Sequence, residues 1–158
     1  MKLELRAVDD LNKRDVELLN VFEDQKQFIA SNSDSIKTSH AAKYREVARP
    51  FAIYADDKLV GFTMFAFDLA SSDPDDRYWL WRFMIDKKSQ GNGYGSAALE
   101  KIIEYFKNHG ANHILLSTKD TNQTALSLYH KHQFAETGEM NDDEIILRRN
   151  LEVPIEQG

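Results

Sequence analysis

Three glycines at alternate positions, Gly91, Gly93 and Gly95, stand where an apolar strand hands over to an amphipathic helix, and this junction constrains the fold more than any other stretch. The strand reads RYWLWRFMID, Arg77 to Asp86. From about Ser96, Leu99, Ile102, Ile103 and Phe106 recur at three- and four-residue spacing. Glu100, Lys101, Glu104 and Lys107 take the other face, and Gly110 marks the helix stop. The helix N-terminus therefore meets a turn with few side chains. Its unpaired first-turn amides and the positive end of the helix dipole favour a phosphate or pyrophosphate there.

Two common phosphate loops do not match. A dinucleotide-binding turn needs G-x-G-x-x-G after the first strand of a βαβ unit, whereas this G-x-G-x-G lies mid-chain after several strand-like runs. A nucleoside-triphosphate loop needs Gly-Lys-Ser/Thr, and Tyr94-Gly95-Ser96 follows Gly93 instead. The chain has no cysteine, which excludes disulfides, thiolate metal sites and a cysteine nucleophile. Its net charge of −6 argues against nucleic acid as the main partner and suits a cationic one, although the same charge also serves solubility. No apolar run approaches the roughly 20 residues that span a bilayer, and MKLELRAVDD lacks the apolar core of a signal peptide. A cytoplasmic location away from membranes is the expectation. His130 and His132 diverge on a helix and make no metal pair, so no metal site is expected.

The 158 residues suit one domain, with the tail after Leu151 expected to fray. Leu3, Leu5 and Ala7 alternate as a first strand, and a helix follows with Val16, Leu19 and Phe22 in its apolar stripe. A second helix is expected over Ser35 to Val47. PFAIYA from Pro50 and LVGFTMFAFD from Leu59 pair around Asp56-Asp57-Lys58, with a bulge or close backbone approach at Gly61. HILLS from His113 is a buried strand, Asn122 to about His132 a helix, and Phe134 to Met140 with Glu144 to Asn150 a final hairpin. The order is β α α β β β α β α β β, an α/β (α+β) domain with a mixed, mostly antiparallel sheet of about seven strands and four helices.

Gln90-Gly91-Asn92-Gly93-Tyr94-Gly95 resembles the Q/R-x-x-G-x-G/A motif of the Gcn5-related N-acetyltransferases (GNAT), in the same place between strand and helix. A second segment, Asn122, Ala125, Leu128, Tyr129 and Phe134, resembles the family's N-x-x-A-x-x-L-Y-x-x-x-G-F, with Gln133 where glycine is usual. PFAIYADDKLVGF and WLWRFMID are similar to bacterial diamine and polyamine N-acetyltransferases.

The resemblance implies acetyl-CoA as co-substrate, its pyrophosphate on Gln90 to Ser96 and its pantetheine in a gap between the fourth and fifth strands. Backbone groups of Phe83, Met84 and Ile85 would pair with pantetheine, the Phe83 amide reaching the thioester oxygen. Asn122 and Lys131 would join the cofactor site, with Lys87 and Lys88 as further phosphate contacts. Tyr129 would be the acid that protonates the leaving thiolate. A carboxylate is expected on the central strand in polyamine enzymes, and Trp81 stands there. Glu23, Asp24, Asp73, Asp75, Asp76, Asp142, Asp143 and Glu144 remain open as substitutes. Trp79, Trp81 and Phe83 share one face of an ideal strand and could receive an ammonium, with Glu23 and Asp24 as acceptor-side charges. Arg82 would take the opposite face and pair with a buried carboxylate. The expected reaction is acetylation of a small-molecule primary amine, a diamine or polyamine favoured, in a protein that can form a homodimer. Acetylation of a peptide or protein, and a non-catalytic acyl-CoA sensor, are the alternatives.

Overall fold

The structure, a computed structural model, describes residues 1–152, so the tail expected to fray lies outside the described residues from 153 onward. Seven strands form one sheet: β1 (Leu3–Ala7), β2 (Ala48–Ala55), β3 (Lys58–Phe67), β4 (Tyr78–Ile85), β5 (His113–Thr118), β6 (Ala135–Asn141) and β7 (Glu144–Asn150). Their spatial order is β1-β2-β3-β4-β5-β7-β6. Four helices join them: α1 (Lys13–Leu18), α2 (Asn32–His40), α3 (Tyr94–Asn108) and α4 (Gln123–Lys131).

The helices cover both faces, as the apolar stripes require. Leu99, Ile102, Ile103 and Phe106 of α3, with Leu126 and Tyr129 of α4, bury against Phe65, Leu80, Ile114 and Leu116. On the other face Val16 of α1 and Ile36 of α2 pack on Phe62, Met64 and Met84. The second helix differs from its expected bounds of Ser35 to Val47. Ser31 caps it, its Oγ accepting from the Asp34 amide at 3.1 Å, and the chain turns extended at Ala41. A 3₁₀ turn over Glu23–Phe28, absent from the expected order, connects α1 to α2.

Two features of β3 and β4 set the site. A β-carbon on Gly61 would collide with the Met84 carbonyl, so only glycine lets β3 approach β4 there. In β4, Leu80 pairs with Phe65 and Arg82 with Met64, which leaves Trp81 as an extra, bulged residue. The bulge changes the faces read from an ideal strand. Leu80 and Phe83 turn toward α3, whereas Trp81 packs with Met64 and Met84 on the α1–α2 side. Phe83 therefore does not share a face with Trp81. Arg82, expected opposite the tryptophans, lies against Trp81 and bonds Ser35 of α2.

Candidate active site

Strands β4 and β5 are the parallel pair of the sheet, and they register at Trp79↔Leu115 before diverging. The gap opens a cleft of about 1190 Å³ that runs from the glycine loop, past Phe83, Met84 and Ile85 on one wall and Leu116, Ser117 and Thr118 on the other, to Trp79, Trp81 and Glu144. Past the register point those β4 residues have no β5 neighbour, so the strand presents an edge into the cleft. An extended ligand can pair with such an edge as a strand would.

The glycine loop closes one end. Gly91 and Gly93 have φ of +82° and +79°, a region in which side chains are strained, and a β-carbon on either would point into open space. Gly93 is the N-cap of α3, so the first-turn amides after it face the cleft end. Gly95 is packed differently, 3.7 Å from Leu128 at the position of its missing β-carbon. Gln90 works as a brace: its Nε2 donates to the Ile85 carbonyl and to Gln25 Oε1, each at 2.9 Å, and Gln25 Nε2 returns a bond of 3.1 Å. Asn92 Nδ2 donates to the Ser89 carbonyl at 2.9 Å. Both motif side chains thus hold the loop's shape and leave its amides to a ligand.

Tyr129 lines the cleft from α4, nearly buried, and its hydroxyl has no hydrogen-bond partner among the described residues. Burial raises its pKa well above that of a free phenol, so it stays protonated. The residue after His132, Gln133, has φ of +69°, which accounts for the glycine usual at that position. Ser96 turns away from the cleft, its Oγ 2.8 Å from His132 Nε2, which ties the start of α3 to the end of α4. Burial lowers the His132 pKa, so the ring is neutral at pH 7 and the pair is an uncharged hydrogen bond.

Of the residues expected at the cofactor end, Phe83, Met84, Ile85, Gln90, Gly91, Gly93, Tyr94, Gly95 and Asn122 line the cleft. Asn92 and Ser96 act behind it, and Lys131, exposed at the end of α4, is not part of the lining. At the acceptor end Trp79, Trp81 and Asp24 line it, while Glu23 points to Lys26 at 2.9 Å. Of the other carboxylates left open, Asp76 and Glu144 reach the cleft; Asp73, Asp75, Asp142 and Asp143 do not. Trp79 Nε1 donates to Asp76 Oδ1 at 2.9 Å, and Ser117 Oγ to Glu144 Oε1 at 3.1 Å. Asp68, Tyr44 and Gln25 were not singled out by sequence, and Arg82 was placed elsewhere, yet all four line the cleft. No local signal marks them, because each comes from a different segment.

A match to the Acetyltransferase (GNAT) family model spans residues 15–134, which includes the splayed strands, the glycine loop and Tyr129. The chain belongs to the GNAT acetyltransferases. A spermine/spermidine N(1)-acetyltransferase of Bacillus subtilis (strain 168) is 28% identical to this acetyltransferase over 144 residues, 89% of this chain and 93% of the relative. Among solved structures, a spermidine N-acetyltransferase of Vibrio cholerae in complex with CoA and spermine shares the fold at a TM-score of 0.69 and 18% identity, over 92% of each chain. A Salmonella typhimurium acetyltransferase that modifies the N-terminal serine of ribosomal protein L7/L12 does so at 0.70 and 18%, over 96% of each. Among the described residues of this GNAT enzyme, no helix is long and apolar enough to cross a membrane.

Proposed function

We propose that this enzyme transfers the acetyl group of acetyl-CoA to a primary amine by direct attack, with a diamine or polyamine as favoured acceptor. The observation that carries the reading is one cleft with two unlike ends: a loop of open backbone amides suited to pyrophosphate, and a wall where Asp68, Asp76 and Glu144 stand beside Trp79 and Tyr44. The polyamine relatives add support. Acetyl-CoA supplies the thioester. The β4 edge from Phe83 to Ile85 would hold the pantetheine arm extended, and the Phe83 amide would stabilise charge on the carbonyl oxygen.

The amine nitrogen forms the new C–N bond as the C–S bond breaks. The Tyr129 hydroxyl donates a proton to the departing sulfur, and the proton released from nitrogen restores the phenol through solvent. An alkylammonium has a pKa near 10.4, so presenting it as free amine at neutral pH costs about 4 to 5 kcal/mol. Trp81 provides no base for that step. Peptide α-amines, with pKa values of about 7.7 to 8.0, would need less help, and this favours acetylation of a peptide amino terminus as the second reading.

The test is thiol release from acetyl-CoA with spermine, spermidine, putrescine, a monoamine of matched length, amino acids and short peptides. Diamines and polyamines should react faster than the monoamine, with apparent binding that weakens as salt screens the outer charges. Equal rates for diamine and monoamine, or activity confined to peptides, would remove the polyamine assignment. A cytoplasmic location and a homodimer accompany this reading as expectations, checked by fractionation and light scattering.

A further inference from the structure

Trp81 stands where polyamine enzymes of this arrangement are expected to hold a carboxylate, and the next residue of β4, Arg82, is a cation. Arg82 follows the bulged Trp81 and precedes Phe83, and its side chain lines the cleft. Nε donates to Ser35 Oγ at 3.2 Å and Nη1 to the Trp81 carbonyl at 3.1 Å, while the guanidinium lies over the Trp81 ring, 5.0 Å from its centroid. Nη2 has no hydrogen bond, and no carboxylate forms an ion pair with this guanidinium, among the described residues. Trp81, one of the aromatics expected to receive an acceptor ammonium, thus already carries the protein's own cation over its ring.

The charges around Arg82 come from several elements. Glu144 of β7 attracts it across the cleft without reaching it, and burial works against its charge. Asp24 of the 3₁₀ turn, Asp68 after β3 and Asp76 before β4 line other walls of the cleft. Helix α2 offers it Ser35, with Asp34, Lys37 and His40 exposed on the far side. Lys43, also exposed, lies over the ring of Tyr44, which meets Trp81 edge-on. Met64, opposite Arg82 on β3, is apolar and fully buried.

We propose that Arg82 is a specificity-determining residue: its unneutralised guanidinium, beside the reacting end of the acceptor, disfavours the ammonium there and selects the free amine that attacks. The inference rests on the acetyltransferase reading above. A site without a base can still obtain a neutral amine by making its charged form unfavourable, through apolar surroundings or a like charge. Trp81 supplies the first and Arg82 the second. Asp68 and Asp76 hold the distal, still-charged amine. The balance is simple: RNH3⁺ gives RNH2 and a proton to water at the open mouth of the cleft, and the free lone pair then makes the C–N bond. A guanidinium could instead receive a carboxylate on the acceptor. The four cleft carboxylates make that end net negative and favour a cationic acceptor, so the anion contact stands as the competing outcome.

The experiment compares the parent enzyme with Arg82→Gln and Arg82→Lys, using spermine and glycinamide, whose α-amine has a pKa of about 8. With spermine, Arg82→Gln should lower kcat about tenfold at pH 7 and also lower KM, because repulsion of the bound ammonium is gone. The acid limb of its kcat–pH profile should move up by about one unit. Arg82→Lys should restore most of both. The kcat loss with glycinamide should be several-fold smaller. In parallel, calorimetry of spermine binding at pH 8 in two buffers of different ionisation enthalpy should show fewer protons released by Arg82→Gln. Equal kcat losses with both amines and an unmoved acid limb would make Arg82 merely structural and overturn the proposal. So would a KM rise confined to carboxylate-bearing acceptors, or unchanged proton release. If the parent acetylates no amine while the difference in proton release persists, the catalytic reading fails and the role of Arg82 stands.

Discussion

The two ends of the cleft are made of different material. The end beside the glycine loop, proposed as the donor end, is backbone: the open edge of β4, the amides after Gly93, and motif side chains such as Gln90 and Asn92 that brace the loop from behind. The opposite end, proposed for the acceptor, is side chains, with Asp24, Tyr44, Asp68, Asp76, Arg82 and Glu144 brought in from separate segments. A backbone site needs a particular chain path and tolerates many side chains, so it can serve one shared cofactor across a family. A side-chain site changes with each substitution, which is how one fold can serve acceptors as unlike as spermine and a ribosomal protein.

The sharpest way to break this contrast is at Gly93. Valine there would be strained at a φ of +79° and would displace the amides behind it. Acetyl-CoA affinity by calorimetry should fall about 100-fold or more while circular dichroism stays unchanged; retained affinity would mean the loop is not the pyrophosphate site. Next is Tyr129→Phe, which removes one hydroxyl from the donor wall. The expected loss is about 10²-fold in kcat with acetyl-CoA affinity preserved, and full turnover would return Tyr129 to a packing role beside Phe134.

On the acceptor side the effects should be smaller and selective. Asp68→Asn keeps the shape and removes one charge, so KM for spermine should rise about 3- to 10-fold while KM for a matched monoamine stays put. A rise for both amines would show that the carboxylate shapes the pocket and does not read a second ammonium.

Acidification should act through two buried histidines, His132 beside Ser96 and His113 beside Tyr78. Burial lowers the pKa of His132 and of His113, so the unfolded chain binds more protons once the pH drops below about 6.5. Stability should therefore decline from that pH downward through the lowered folded-state values. A melting series from pH 7.5 to 5.5 should show this, with a shallower slope in His132→Asn. The smallest effect belongs to Gln133→Gly, which relieves a left-handed backbone and should raise stability by about 0.5 to 1 kcal/mol in urea titration, leaving both substrates' KM unchanged.

The strand, turn and helix around the glycine loop were legible from sequence because their determinants are contiguous. The strand, the glycines and the amphipathic stripe sit within Arg77 to Asn108, and helix periodicity and turn chemistry act over a few residues. The helix began at Tyr94, two residues earlier than read, and α2 began at Asn32 because Ser31 was a cap that periodicity alone did not reveal. For the acceptor end, eight carboxylates were left open, and distance along the chain could not rank them. The tertiary structure brings Asp24, Asp76 and Glu144 to the cleft and adds Asp68, which sequence had read only as the end of a strand.

By itself the sequence determined the strand and helix order, the glycine turn between β4 and α3 and the placement of Tyr129 on the helix after β5, since each depends on local backbone preference and side-chain period. Only the tertiary structure decided which way the central strand's side chains point. The bulge at Trp81 arises from how β4 registers against β3, a pairing between residues some 18 apart in sequence, Met64 with Arg82. One extra residue there sends Phe83 to the α3 face and leaves Trp81 and Arg82 together on the other. No period read along one strand contains that information, because the register belongs to two strands at once.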